Sequence, residues 1–463
     1  MSEIGSVLAK ELGADRVAED AETLAAHRVD YWILAHLRRR QGRLGPPPAC
    51  VVKPRSTAEV AKTIQLAQRH GTAVVPFGGG SGVVGGAVPP AGSVVVDLRA
   101  MNRLLELNEH SLYARAEAGM MGPAYESALE AKGFTTGHYP QSIALSTVGG
   151  WVATRAAGQF STRYGNIEDL CLGLEAVRAS GEIVRIASFP RTSAGPSLRE
   201  LFLGSEGTLG VITEVTFRIH PLPETRALTS FGFPGMKEAL EASRRVLRVG
   251  WRPAVLRAYD ATEAHRHFTE DRCVLLAVSE GPAALVAAEM EAVRRECLAT
   301  GGVEIGEKHA AHWLKGRNEV PSWDFFIDRE MLADTIEVAV TWDRIDALYE
   351  EVRAALAASP GVVLASGHSS HGYQQGTNIY FTFVMKPDDF ARAEDAYLEA
   401  WSRALRATLA AGGTVSHHHG IGRLRAPWLA AELGSAYPLL RDLKRALDPN
   451  GIMNPGALIG EPR

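Results

Sequence analysis

The 463-residue chain contains no run of about eighteen apolar residues, so no membrane-spanning helix is expected. Met1 to Ala26 is punctuated by Glu, Lys and Asp and lacks the apolar core of a secretory signal, which argues against export. Cysteine is scarce. The four present, Cys50, Cys171, Cys273 and Cys297, stand far apart without a C-x-x-C pair, which fits a reduced, cytoplasmic compartment better than a secreted one. A positive excess is missing too. Lys and Arg number 49 against 53 Asp and Glu, a net charge of −4, and a nucleic-acid partner is not expected from that balance. No internal repeat and no low-complexity tract interrupts the chain.

Glycine, by contrast, is abundant: 46 residues, many in clusters, as close approach of backbone to a ligand requires. The length calls for two domains. Residues 1–50 read as an N-terminal helical segment ended by Pro46-Pro47-Pro48. Within it, Tyr31-Trp32-Ile33-Leu34 precedes Arg38-Arg39-Arg40 and Arg43. The preferred reading is a helix packing its apolar face on the body; peripheral membrane contact through the basic face is left open. In residues 51–222 short β-rich runs alternate with helices. Ser56 and Glu59 form a capping box for a helix over 57–69, and 74–76 and 94–98 read as strands. Residues 223–427 follow a different pattern, in which long helices at 236–249 and 283–300 separate strands at 274–278, 336–340, 362–364 and 378–384. That is α+β, a sheet with helices on one face. The last segment, 428–463, returns through a helix to Asp448-Pro449-Asn450-Gly451.

The strongest chemical signal is Pro76-Phe77-Gly78-Gly79-Gly80-Ser81-Gly82-Val83-Val84-Gly85-Gly86. A strand runs into a loop whose backbone N–H groups can turn toward a diphosphate, since no Cβ blocks the approach. It is neither a Walker loop nor a dinucleotide fingerprint, which would open directly into a helix. A flexible surface turn is the ordinary alternative for such a loop taken alone. Two further segments accompany it. One holds Gln141, Ser142, Ser146, Thr147, Gly149, Gly150, Thr154 and Ala157; the other runs through Glu206, Gly210 and Ile212.

In this order and spacing the three segments resemble the FAD domain of the vanillyl-alcohol-oxidase and p-cresol-methylhydroxylase (PCMH) superfamily. The likeness implies FAD binding in a two-part PCMH-type domain, with an α/β cap domain over the substrate. In that superfamily the first loop wraps the diphosphate, the second lies along the flavin and the third closes over the adenine side. Covalent members tether flavin through a histidine or cysteine in these loops. Here the loops offer Gly, Ser, Val and Thr instead, so non-covalent FAD is expected. His138, just before the second segment, is expected as a polar contact on the flavin side.

A narrower resemblance rests on Ser416-His417-His418-His419-Gly420, Gly137-His138-Tyr139-Pro140-Gln141-Ser142 and Tyr164-Gly165-Asn166-Ile167-Glu168-Asp169-Leu170. Trp342-Asp343-Arg344, Tyr380-Phe381 and Leu424-Arg425-Ala426-Pro427-Trp428-Leu429 add to it. These are similar to the alkyldihydroxyacetonephosphate synthases. The resemblance implies exchange of the acyl group of acyl-dihydroxyacetone phosphate for a long-chain alcohol, with the carbon held on flavin N5 and no net redox change. It implies Tyr373 as the base, with His417, His418 and His419 positioning it and stabilising charge, and Arg257 holding the acidic end of a small-molecule or lipid substrate. Relatives often form homodimers. The family's phosphate-binding arginine aligns near Trp323, where the nearest arginines are Arg317 and Arg329.

Two other readings of these residues stay open. The triple histidine could be a structural cluster; as a metal site it is disfavoured, because neighbours on an extended chain point apart, and no metal is expected. Gly367-His368 with Asn378 also resembles part of the FAD-linked D-2-hydroxy acid dehydrogenases. Those carry Glu-His-Gly where this chain has His418-His419-Gly420.

Overall fold

The computed structural model describes residues 2–459, which form three main sheets with helices packed on them. Cys50–Val52 and Val74–Phe77 both lie parallel to Val94–Asp97 between them, and Val17–Ala18 adds an antiparallel edge. Each of the three parallel strands is almost wholly buried, which is why they are rich in Val. Helix Thr57–Arg69 starts at the expected residue, with Ser56 Oγ accepting from Glu59 N at 3.2 Å.

The second sheet is antiparallel, in the order Leu104–Asn108, Tyr113–Glu117, Val211–Arg218, Cys171–Val177, Ile183–Ile186. These two sheets share one apolar core, with helices Glu3–Leu12, Thr57–Arg69 and Gly122–Glu130 contributing Leu8, Ile64 and Tyr125.

The third sheet has seven antiparallel strands, ordered Val303–Glu304, Thr225–Phe233, Cys273–Gly281, Val255–Tyr259, Val362–Ser369, Gly376–Met385, Leu332–Thr341. Helices Met236–Arg248, Ile345–Ala357 and Ala393–Ala410 cover one face and share its core. The opposite face of the strands around Tyr380 is left to line a cavity. The fold is therefore α+β, as expected.

The N-terminal segment does not stay with one unit. Val17–Ala18 joins the first sheet, whereas helix Ile33–Arg40 buries Leu34 and Leu37 in the core of the third. Its basic side is engaged: Arg38 and Arg43 pair with Glu394, and Arg40 with Asp328. At the other end, Asn454 Nδ2 donates to the carbonyls of Gly86 (2.9 Å) and Glu206 (2.7 Å), so the C-terminal segment ties two of the glycine-bearing loops together. All four cysteines are free and buried. Among the described residues no helix is long and apolar enough to cross a membrane.

Candidate active site

The three glycine-bearing segments converge on one cavity of about 780 Å³. Pro76 to Gly82 form one wall, and Gln141, Ser142, Ser146, Thr147, Gly149, Gly150, Thr154 and Ala157 form the next. Glu206, Gly210 and Ile212 close it. The cradle has no room for side chains. A Cβ on Gly79 would stand 1.7 Å from the Leu145 carbonyl oxygen, and one on Gly78 would stand 2.4 Å from Thr147 Oγ1. Gly80 takes φ +67°, a left-handed value that L-residues rarely adopt. These walls fit an extended dinucleotide cofactor, because backbone rather than side chain faces the cavity along the loop. No cysteine or histidine lies on the walls made by the three glycine-bearing segments.

Several expected contacts have other duties. Thr147 caps helix Val148–Thr154 through Gly150 N, and Ser146 Oγ accepts from Trp151 Nε1 at 2.8 Å. Gln141 Nε2 donates to the Glu319 carbonyl at 2.7 Å. Glu206 accepts from Ile421 N (2.6 Å) and Gly422 N (2.8 Å), and burial pushes its carboxyl up to about 7 despite those bonds. His138 is off the cavity wall, contrary to expectation. It is fully buried against Trp151, ring centroids 4.8 Å apart, and neither ring nitrogen has a partner. Burial pushes it down to about 3, so it is a neutral core ring.

The third sheet supplies the rest of the cavity. Tyr380, Thr382 and Val384 alternate along Gly376–Met385 and face it, with Arg257, His368, His371, His418 and His419. Tyr380 lies between two imidazoles, 4.8 Å from the His368 ring at 24° and 6.0 Å from the His418 ring at 23°. His368 bridges a charge pair: Nδ1 is 2.6 Å from Glu263 Oε2, and Nε2 is 2.5 Å from Arg257 Nη2. Burial and then the Arg257 charge push His368 down to about 4, so a neutral ring donates to Glu263 and accepts from Arg257.

Arg257 stacks over Tyr259 and Trp313, and Arg317 over Tyr139 and Phe160. Both face the cavity, and the Nε of each is buried without a partner. Among the described residues neither touches a carboxylate directly, and Arg257 reaches Glu263 only through His368. Arg329 instead lies on Phe325, away from the cavity.

The triple histidine is stapled to strand Leu332–Thr341 by one carboxylate. Glu337 accepts from His418 N (3.2 Å), His419 N (2.8 Å), Ser416 Oγ (3.1 Å) and Arg425 Nη1 (2.7 Å), and Arg425 Nη2 also contacts it. Glu337 and Arg425 are fully buried. Burial alone would raise the carboxyl, but the Arg425 guanidinium outweighs it and holds Glu337 well below the usual range. The staple bends the loop, so the neighbours do not point apart as an extended chain would require. His417 Nδ1 and His418 Nδ1 meet at 2.8 Å. Ring nitrogens of His371, His417 and His418 lie within 4.8 Å of one another. Hydrogen bonds already engage them: His371 Nδ1 is 2.7 Å from Ser161 Oγ, and His417 Nε2 is 2.6 Å from the Tyr373 hydroxyl.

Tyr373 itself is not on the cavity wall, and neither is His417. Burial raises the phenol, Asn166 Nδ2 donates to it at 2.7 Å, and the histidines are neutral because burial drives His417 down to about 4 and His418 well below its usual value. The neutral rings beside Tyr373 supply no positive charge to lower its phenol, and Tyr373 does not line the cavity. Tyr380 and His371 are cavity residues that the sequence did not assign to the site; His368 entered only through the hydroxy acid dehydrogenase resemblance, and Arg317 only as an arginine near Trp323. The period-two alternation of Tyr380, Thr382 and Val384 was the available signal for the first.

Residues 48–187 match the FAD binding domain family, and residues 222–458 match the C-terminal domain of FAD linked oxidases. The chain is 36% identical over 475 residues to the uncharacterized FAD-linked oxidoreductase YgcU of Escherichia coli (strain K12), with 96% of each covered. It is 31% identical over 461 residues to alkyldihydroxyacetonephosphate synthase of Caenorhabditis elegans, covering 91% of this chain and 77% of that one. A solved alkyldihydroxyacetonephosphate synthase structure superposes with a TM-score of 0.82 at 26% identity, over 98% of this chain and 86% of that chain. With both halves matched and the three loops meeting in one cradle, the chain belongs to the vanillyl-alcohol-oxidase/PCMH superfamily of FAD enzymes.

Proposed function

We propose that this FAD enzyme is of the alkyldihydroxyacetonephosphate synthase type, exchanging the acyl group of acyl-dihydroxyacetone phosphate for a long-chain alcohol. The observation that carries the reading is the wall beyond the flavin loops, where Tyr380, His368 and His418 line the cavity with the guanidiniums of Arg257 and Arg317, neither in direct contact with a carboxylate. In this reading residues 51–222 and 428–463 make the cofactor unit and 223–427 the cap. Pro76 to Gly82, the 141–157 segment and Glu206 to Ile212 hold FAD without a covalent bond. When bound, FAD supplies an electron sink beside the substrate carbonyl.

The chain's own residues do the rest. Arg257 and Arg317 hold the acidic end of the substrate, and a guanidinium's fixed fork suits a phosphate. His418, neutral and facing the cavity, takes the proton at Nε2. Glu337 orients it through the backbone of the same loop. The Tyr380 hydroxyl, which accepts from Thr335 Oγ1 at 3.0 Å, is fixed for hydrogen bonding to the reacting oxygen.

The test is fatty-acid release from acyl-dihydroxyacetone phosphate with excess long-chain alcohol, strictly anaerobic and without an electron acceptor. Many turnovers per flavin are expected, since acyl exchange leaves the cofactor's redox state unchanged. Release that stops once the flavin is reduced, or no release at all, overturns the reading. Bleaching of the flavin by a 2-hydroxy acid would then support an FAD-linked dehydrogenase instead.

A further inference from the structure

We propose that His418, His417 and Tyr373 form a proton path leading from the cavity to the protein exterior beside Asn166. Each link is a short hydrogen bond. His418 faces the cavity; its Nδ1 meets His417 Nδ1 at 2.8 Å; His417 Nε2 meets the Tyr373 hydroxyl at 2.6 Å. The outer end is near solvent, because Tyr373, Asn166 and Glu168 are partly exposed and Gln374 and Gln375 are exposed. Asn166 Nδ2 donates to the phenol oxygen at 2.7 Å and fixes its orientation. His371 is packed against both rings, at 5.1 and 5.0 Å, but its Nδ1 is held by Ser161 and it stands beside the path.

A relay needs rings that carry one N–H and one lone pair, and burial keeps both histidines in that neutral form. The proton enters at His418 Nε2. The N–H at His418 Nδ1 passes its proton to His417 Nδ1, His417 Nε2 passes its own to the phenol oxygen, and the phenolic proton leaves to solvent. The rings then return to their first tautomers. A phenylalanine at 373 would fill the same space but leave His417 Nε2 and Asn166 Nδ2 without their shared partner.

The path rests on the proposed reading of the cavity as the reaction site, but not on one substrate. Acyl exchange releases the alcohol's O–H proton together with the carboxylate product. Oxidation of a hydroxy acid likewise releases an O–H proton from the same buried place.

The test uses FAD-loaded protein and Tyr373→Phe. Without any substrate, ¹⁵N spectra of histidine-labelled protein should show the His418 ring nitrogens shifting in the variant, although residue 373 does not touch His418. Unmoved His418 signals overturn the path. With acyl-dihydroxyacetone phosphate and alcohol, or with a hydroxy acid that bleaches the flavin, kcat should fall about 100-fold with KM within about twofold, the lower end of what a positioned proton carrier contributes. Added imidazole should restore much of it, which a structural role would not permit. Wild-type kcat in the variant, with an unchanged solvent isotope effect, also overturns the path. Failure of acyl exchange in the wild-type protein sinks the functional reading alone, since the spectra decide the path without turnover.

Discussion

A neutral histidine between a carboxylate and a guanidinium decides how Arg257 is presented. His368 hydrogen-bonds to Glu263 and Arg257 on opposite sides of one ring, and Thr382 Oγ1 also donates to Glu263 at 2.6 Å. Glu263 is thereby satisfied without a bond to Arg257, whose Nε is left buried without a partner. Arg257→Ala should raise KM for an acidic substrate about 10- to 100-fold, the loss of a charge-assisted hydrogen bond, while FAD content is unchanged. Lysine at the same position should recover only part, because a point charge lacks the planar fork. Steady-state kinetics on the two variants check this, and an unchanged KM would remove Arg257 from the binding wall.

At the scale of the element, the first glycine loop and the second flavin segment interlock through backbone. The obstacle to a side chain at residue 79 is a carbonyl oxygen at 1.7 Å, which cannot rotate away as a side chain could. Gly79→Ala should therefore displace the loop and strip FAD. Gly45→Ala, where nothing lies within 4 Å and φ is not left-handed, should keep it. The flavin absorbance per protein of the purified variants is the measurement. Full occupancy in Gly79→Ala would show that this turn does not hold the cofactor.

At the scale of the whole molecule, Asp30 joins the N-terminal segment to the first glycine loop, accepting from Trp32 N at 3.2 Å and Ala87 N at 3.3 Å. Burial raises its carboxyl from 3.8 to about 7. A group that holds its proton more tightly when folded stabilises the fold fully below its unfolded value. Its contribution is lost as pH rises from about 4 through about 7. Asp30→Asn should therefore gain thermal stability relative to the wild-type chain as pH climbs from about 5 to about 8. A Tm difference that stays constant over that range would show that Asp30 does not titrate there.

What the sequence settled was local. The three flavin segments were legible because a glycine cradle is made by adjacent residues, whose need for φ freedom and bare backbone is written in the residues themselves. Arg257, named only through the resemblance, does line the cavity, and helix Thr57–Arg69 was legible through its cap. The facing of the histidines was not. It depends on Glu337, 81 residues before His418, which bends the loop and turns His417 away from the cavity and toward Tyr373. Tyr373 and Tyr380 are alike as sequence, a few positions apart on one hairpin strand and its approach. Only the packing of that strand against its neighbours puts Tyr380 on the cavity and Tyr373 behind His417, because which side of a sheet is covered is decided by elements far away in the chain.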